Sequence, residues 1–133
     1  MADKARVRIR SEADIVAARQ RGRAMAAELG FSLVNQTFIA TAISELARNI
    51  VVYAKTGEIV LSSVQEGDKR GIVVVARDRG PGIPDIQLAM RDGYSSSGSL
   101  GLGLSGTKRL MDEFEIVSKV GKGTTVTVKK WVR

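Results

Sequence analysis

The chain has 133 residues, 44% of them apolar, and a formal net charge of +7, with a sequence pI of about 10.1. It contains no cysteine and no histidine, which excludes disulfide scaffolds, cysteine or histidine zinc sites and histidine-based catalytic triads. No apolar run could span a bilayer, no signal-peptide pattern opens the chain and the basic residues are scattered, so we expect one cytoplasmic domain over residues 1–133 without a membrane or nucleic-acid partner.

The first 54 residues contain one strand pattern followed by two helix patterns. Apolar and charged residues alternate over residues 5–10, which predicts a half-buried strand. A helix follows from Ser11, where Asp14 would complete a capping box, and Gly30 is expected to end it. A second helix is predicted over residues 34–54, with these residues facing the core at helical spacing: Phe38, Ala42, Ile43, Leu46, Ile50 and Tyr53.

A hairpin and a punctuated loop are predicted next. Strands over residues 58–64 and 72–76 flank a short polar turn, the arrangement of an antiparallel hairpin. The second of these strands is continuously apolar and is expected to be buried. The loop over residues 78–84 is rich in Gly and Pro, and Pro84 suits the first turn of a short helix.

The last part of the chain carries a Gly- and Ser-rich segment, residues 92–106, that leads into a helix over residues 104–113. Two strands over residues 114–120 and 124–132 close the chain. The order of elements predicts an α+β fold: a two-layer sandwich with the helices packed on one face of a mixed, mostly antiparallel sheet.

The second helix carries the first candidate functional pair, Glu45 and Asn49. Residues four apart project from the same face of a helix. A carboxamide oxygen beside a carboxylate suits a hard cation such as Mg²⁺, and the carboxylate could accept a proton. Taken alone, the same spacing is more typical of a solvated helix face.

The second candidate is Asp78-x-Gly80-x-Gly82, directly after the apolar strand. An aspartate at the end of a buried strand needs hydrogen-bond donors, and an amino group on a ligand base could be one of them. The two glycines would let the backbone pass close to a ligand. An ordinary Asp/Gly/Pro turn explains this motif about equally well.

The third candidate is the glycine-rich run Gly98-Ser-Leu-Gly101-Leu-Gly103-Leu before a helix. Free backbone N–H groups at a helix N-terminus form an anion cradle. The run is neither a Rossmann nor a Walker A motif, because it follows a loop and has no Gly-Lys-Ser/Thr. A flexible surface loop remains the alternative.

The order and spacing of these motifs, followed by Gly123-Thr-Thr125, resemble those of the GHKL (Bergerat-fold) ATPases and kinases. The resemblance covers residues 11–128. Within that superfamily the chain is similar to the small bacterial serine/threonine kinases of the anti-sigma and stressosome partner-switching modules, most of all to the stressosome switch kinases. The segments that carry this similarity are residues 44–50, 78–85, 92–97 and 108–114.

The resemblance implies that ATP and Mg²⁺ are the cofactors. It implies that Asn49 ligates Mg²⁺, that Glu45 is the general base and that Asp78 accepts a hydrogen bond from the adenine amino group. The remaining residues that it places at the nucleotide are Gly80, Gly82, Ile83, Gly101, Leu102, Gly103, Leu104 and Thr124.

The resemblance also implies protein partners. The substrate would be a STAS-domain (anti-anti-sigma-like) scaffold or antagonist protein, and the kinase would then activate a downstream phosphatase by binding its regulatory domain. Arg19 and Arg23 on the first helix resemble the partner-docking surface of these kinases, although a solvated basic face is an equal alternative. Homodimerisation is left open.

Two departures and two alternative functions accompany this prediction. Histidine kinases usually carry Lys where Val52 stands. In this chain Ser99 also replaces a lid glycine, while Gly98 sits one residue earlier, so the sequence does not determine which residues contact the phosphates. The first alternative is an anti-sigma factor that binds a sigma factor and phosphorylates its antagonist. The second is a binding module that keeps ATP as a structural ligand.

Overall fold

The computed structural model describes residues 4–91 and 103–133. The helices and strands follow one another in the predicted order, and a π-helical segment follows the second helix. They are β1 (Lys4–Ile9), α1 (Glu12–Leu29), α2 (Leu33–Asn49), a π-helical segment (Ile50–Ala54), β2 (Gly57–Glu66), β3 (Lys69–Asp78), α3 (Ile86–Ala89), α4 (Gly103–Leu110), β4 (Glu113–Lys119) and β5 (Gly123–Trp131).

The five strands form one sheet in the order β1-β2-β3-β5-β4. All of the described pairings are antiparallel, so the predicted α+β class is confirmed, with a sheet that is antiparallel rather than mixed. The predicted hairpin is β2–β3, and β4–β5 forms a second one. The register aligns Gly57, Asp78 and Thr124 at one end of the three central strands.

The core lies between the sheet and α1, α2 and α4, which cover one of its faces. The fully buried side chains of the helices and strands meet there, among them Ile39, Ile43, Leu46, Leu61, Ile72, Val74 and Val128. Residues of β3 alternate between buried and half-buried, so the strand is covered fully on one face only, and the expectation of a continuously buried strand was wrong. Such one-sided cover is common for antiparallel sheets.

Two of the predicted core positions of the second helix are wrong. Phe38 is 37% exposed and Tyr53 is 44% exposed. The buried stripe of α2 runs through Ile39, Ile43 and Leu46, so Phe38 lies at its edge, where its ring faces the Lys130 ammonium at 5.7 Å. Tyr53 lies in the π-helical segment, whose wider turn shifts side chains away from the spacing of an α-helix.

The helix ends follow the predicted signals in part. Gly30 ends α1 in the left-handed conformation at φ 96°, as predicted. The capping box at the start of α1 was wrong, because the Asp14 carboxylate accepts the N–H of Arg10 at 2.8 Å and Ser11 makes no side-chain cap. Pro84 precedes α3. The N-cap of α3 is Asp85, whose carboxylate accepts the N–H of Leu88 at 3.0 Å.

None of the helices in the described ranges is long and apolar enough to cross a membrane.

Helix α4 ends three residues earlier than predicted. Its last carbonyl, that of Leu110, accepts a hydrogen bond of 2.7 Å from the buried ammonium of Lys130 on β5. A cation at a helix C-terminus is favourable because it meets the negative end of the helix dipole. Strand β4 begins three residues later, at Glu113.

Close packing of α1 on α2 depends on Gly22. A Cβ atom at this position would collide with Cδ1 of Ile43. We expect Gly22→Ala to lower the free energy of unfolding by roughly 1–3 kcal/mol, the usual cost of overpacking a core. Urea denaturation would measure it, and the cost should shrink in an Ile43→Val background, which lacks the colliding carbon. An equal cost in both backgrounds would contradict this packing.

The Asp112 carboxylate fastens the end of β5. It accepts the Trp131 N–H at 2.8 Å and binds the Arg133 guanidinium at 2.9 Å. Burial raises the pKa of Asp112, but the Trp131 N–H, Arg133 and the charge of Lys130 outweigh burial and lower it below its ordinary value of 3.8.

Since the folded pKa of Asp112 is lowered, its stabilising effect is complete above the unfolded pKa, ~3.9. The effect is lost as pH falls through the folded pKa. Asp112→Asn is therefore expected to lower the free energy of unfolding near neutral pH. The difference in this free energy between the variant and wild type should shrink as the pH falls below the unfolded pKa. Thermal unfolding across this pH range measures the difference. A deficit independent of pH would disprove the electrostatic contribution.

Candidate functional site

A cleft of about 320 Å³ lies at the end of the sheet, beneath α2 and the π-helical segment. Eight of the residues singled out from the sequence line it together: Glu45, Asn49, Asp78, Gly82, Ile83, Gly103, Leu104 and Thr124. Gly80 is not among its lining residues, Gly101 and Leu102 lie outside the described residues, and Arg19 and Arg23 lie elsewhere, on α1. Residues separated by most of the chain thus converge on one cavity.

The two ends of the cleft differ in chemistry. One end, the apolar end, is walled by Leu46, Ile50, Ala76, Ile83 and Val126. Its other end is polar, with Glu45, Arg48, Asn49 and the N-terminus of α4. Apolar walls with a few placed polar groups are typical of a small-molecule site. This cleft can hold a flat heterocycle at one end and a charged group at the other.

Asp78 is held at the apolar end by backbone donors. Its Oδ1 accepts the N–H of Gly80 at 2.8 Å and the N–H of Thr124, from the neighbouring strand, at 3.3 Å. Both described bonds are to Oδ1, so Oδ2 is the oxygen that can accept from a ligand in the cleft. A carboxylate fixed in this way presents one acceptor in a defined direction.

The loop after Asp78 is fastened to the β4–β5 hairpin. The N–H of Ile83 donates to Ser118 Oγ at 2.8 Å, and Gly121 donates its N–H to the Pro81 carbonyl at 2.8 Å. The same Ser118 hydroxyl lies 2.8 Å from Thr124 Oγ1. Ser118 therefore links two cleft-lining residues.

The two glycines of the loop are required by close packing. Gly82 has a φ of +79°, and a Cβ there would collide with the carbonyl of Lys119. A Cβ on Gly80 would lie 2.6 Å from Cβ of Ala54 in the π-helical segment. Side chains at either position would push the loop away from its neighbours, so the glycines set the shape of this wall.

Glu45 is buried at the polar end of the cleft. Its Oε1 lies 3.5 Å from Nη1 of Arg48, and its Oε2 accepts the N–H of Gly103 at 3.4 Å. The carboxylate therefore lies at the positive end of the α4 dipole, next to a cation. Asn49, four residues on, lines the same cleft.

Sequence reasoning missed several residues of this site. Arg48, Tyr53, Asp85 and Leu88 line the cleft, and Ser118 supports it from behind. Arg48, between the two residues of the first candidate pair, and Asp85, at the end of the segment 78–85, had a signal in the sequence. The other contacts join distant parts of the chain and have no local pattern.

The two arginines predicted to dock a partner lie on α1. Both are exposed. Arg23 donates from Nη2 to Thr37 Oγ1 on α2 at 2.9 Å. The first turn of α2 beside this contact exposes Leu33 by 75% and Val34 by 61%.

Comparison with known proteins agrees with this geometry. Residues 34–133 match the family described as histidine kinase-, DNA gyrase B-, and HSP90-like ATPase. The chain is 56% identical to the serine/threonine-protein kinase RsbT of Bacillus subtilis (strain 168), over the full length of both chains. It is 33% identical to an anti-sigma F factor of Thermoanaerobacter sp. (strain X514), over 82% of this chain and 79% of that protein.

A crystal structure of the RsbU and RsbW domains of Rv1364c from Mycobacterium tuberculosis has a similar fold. The TM-score is 0.64 at 23% identity, over 98% of this chain and 32% of that one. The chain therefore belongs to the histidine kinase-, gyrase B- and HSP90-like (GHKL) ATPase family. Its full-length identity to RsbT further makes it an RsbT-like protein serine/threonine kinase of the partner-switching type.

Proposed function

We propose that the cleft binds Mg-ATP and that the chain transfers the γ-phosphoryl group to a serine or threonine of a STAS-domain scaffold protein. In this proposal the chain then leaves its product and activates a downstream phosphatase by binding its regulatory domain. The observation that carries the proposal is the convergence of Glu45, Asn49 and Asp78 on one cleft.

Asp78 is proposed to select adenine. Its Oδ1 is occupied by two backbone N–H groups, which leaves Oδ2 to accept the exocyclic amino hydrogen of the base. The base would lie against Ile50 and Val126 on the apolar wall. Thr124, held by Ser118, would close this end of the cleft.

The polar end fits a nucleotide-bound Mg²⁺. The described residues include no group of three or more His, Cys, Asp or Glu that could hold a metal alone. Mg²⁺ that accompanies ATP needs only one or two protein ligands, because phosphates and water supply the rest, and the carboxamide of Asn49 is a suitable donor. When bound, Mg²⁺ would offset the charge of the phosphates.

Glu45 is proposed to accept the proton of the attacking hydroxyl. It is buried and lies at the same end of the cleft as Asn49. The N–H of Gly103, the first described residue of α4, donates to this carboxylate, and the N–H groups of this helix start would face the phosphate oxygens when ATP binds. Gly101 and Leu102 are proposed to add further amides, and Leu104 to line the cleft.

The partner surface is proposed to include Arg19 and Arg23. Arg23 is held against α2 by Thr37, beside the exposed Leu33 and Val34. Apolar side chains exposed next to fixed cations are typical of a protein-binding surface. This combination favours docking over a merely solvated basic face.

The identity of the substrate is tested by incubating the protein with Mg-ATP and a purified STAS-domain scaffold from the same source, followed by phosphosite mapping. We expect one phosphoserine or phosphothreonine on the scaffold. Arg19→Glu and Arg23→Glu should each slow transfer without changing ATP affinity, and Arg21→Glu on the same helix is the control with the same charge change. An unmodified scaffold in the presence of bound ATP would rule out this substrate class.

A second candidate is an anti-sigma factor that also phosphorylates its antagonist. It is favoured by the 33% identity to an anti-sigma F factor. Pull-down with sigma factors of the same source separates the two functions. Retention of a sigma factor in the presence of ATP supports the second candidate, and retention of the scaffold alone supports the first.

A further inference from the structure

A second groove, which adjoins the nucleotide cleft at Asp78, gathers five arginines. It has a volume of about 490 Å³ and is lined mainly by Arg6, Arg8, Arg10, Arg77 and Arg79. The side chains of Arg6 and Arg8 project from the face of the sheet that the helices leave open, since their neighbours Ala5 and Ile9 are buried on the opposite face. The groove lies at the end of the sheet that carries Asp78.

The groove has an excess of positive charge. Its two carboxylates are Glu58 and Asp78, so five arginines leave a net charge of +3. Glu58 pairs with Arg6 at 2.9 Å. The other four arginines have no ion-pair partner within residues 4–91 and 103–133. Like charges held together repel one another, and this arrangement favours a negatively charged ligand.

Protection of an exposed sheet edge does not explain all of this charge. Charged side chains on an edge strand discourage aggregation, and β1 is an edge strand. Arg77 and Arg79 do not share that role, because β3 is an interior strand and Arg79 follows it directly. The register instead brings Arg8 and Arg77 to either side of Glu58.

The edge of the sheet indicates the kind of ligand. Strand β1 has β2 as its one described neighbour, so its outer backbone groups can pair with an added strand. Alternate side chains of an extended strand recur at ~6.6–6.8 Å, the spacing of Arg6 and Arg8 along β1. The groove lining contains no aromatic side chain on which nucleic-acid bases could stack. A second copy added at this edge would bring arginines against arginines.

We propose that this arginine groove binds an extended acidic segment of a protein partner, which adds as a strand to the β1 edge. Acidic residues at alternate positions of that segment face Arg6 and Arg8, while the segment's backbone pairs with β1. This binding site goes beyond the proposed kinase function and does not depend on it, because no nucleotide takes part.

The test uses a short fluorescent peptide in which Asp alternates with Val, and fluorescence anisotropy without ATP. Its partner probe has the same sequence and charge with alternate backbone nitrogens methylated, which removes strand pairing. We expect Arg8→Glu/Arg77→Glu to weaken binding of the first peptide by roughly tenfold or more, and salt to weaken it further. The control Arg21→Glu/Lys108→Glu, with the same charge change elsewhere, should alter it by less than about twofold.

Arg8→Gln/Arg77→Gln repeats the test without charge reversal, and thermal unfolding verifies that each variant folds. The methylated peptide is expected to bind several-fold more weakly than the first peptide. Equal binding of the two peptides, or equal binding by the groove and control variants, overturns the proposal. Tighter binding of a DNA or RNA oligonucleotide, lost in the same arginine variants, overturns it in favour of nucleic acid.

Discussion

Asp78→Asn is expected to weaken ATP binding by roughly 10- to 100-fold, because a hydrogen bond to a charged group contributes about 1.5–3 kcal/mol. Asparagine can still accept the backbone N–H groups of Gly80 and Thr124 through its oxygen. Its amide NH₂ would then occupy the place of Oδ2 and point a donor at the adenine amino group. The loss should therefore fall on nucleotide binding rather than on folding.

Isothermal titration with ATP measures this effect, and Asp85→Asn is the matched control. Asp85 also lines the cleft, where it caps α3. Asparagine caps a helix about as well as aspartate. The control should therefore keep its ATP affinity. A wild-type affinity in Asp78→Asn, or an equal loss in both variants, would refute the assignment of the adenine contact.

Glu45→Gln is expected to reduce phosphoryl transfer by about 10²- to 10⁴-fold, the usual contribution of a general base. Glutamine keeps the size of the side chain and can still accept the Gly103 N–H through its oxygen. It loses the ability to take a proton. ATP binding should remain close to that of the wild type, so the defect belongs to the chemical step.

Single-turnover transfer at saturating ATP separates this effect from nucleotide binding. Glu28→Gln, at an exposed position of α1, is the control for the same chemical change. Glu45→Ala should be equally inactive, although it also removes the partner of Arg48. Wild-type transfer rates in Glu45→Gln would show that another group takes the proton.

The sequence predicted the elements of this fold well because their patterns are local. Alternation identified β1, helical spacing identified α1 and α2, and Gly30 ended α1 as expected. Periodicity does not determine which of two adjacent apolar residues faces the sheet, so Phe38 was placed in the core instead of Ile39. The change from α- to π-helix after Asn49 likewise has no signal in the spacing of the apolar residues.

The candidate site was predictable to the extent that its residues occur in motifs. Asp78, Gly80 and Gly82 form one short motif, and Glu45 with Asn49 forms another, so their types and spacing could be recognised. Ser118 could not, since its bonds to Ile83 and Thr124 become visible only when β4 pairs with β5. The arginine groove is a similar case, because it combines two strands that are distant in sequence.

Phosphorylation of a protein substrate is the function that we propose for this cleft. The decisive experiment is single-turnover transfer from radiolabelled ATP to a purified STAS-domain scaffold, with wild type, Asp78→Asn and Glu45→Gln compared side by side. With ATP at or below the wild-type Kd, we expect a labelled serine or threonine on the scaffold with the wild-type protein and little or none with either variant; saturating ATP should restore transfer by Asp78→Asn but not by Glu45→Gln. Label transferred equally by all three proteins, or ATP bound by the wild type without any labelled protein, would contradict this proposal.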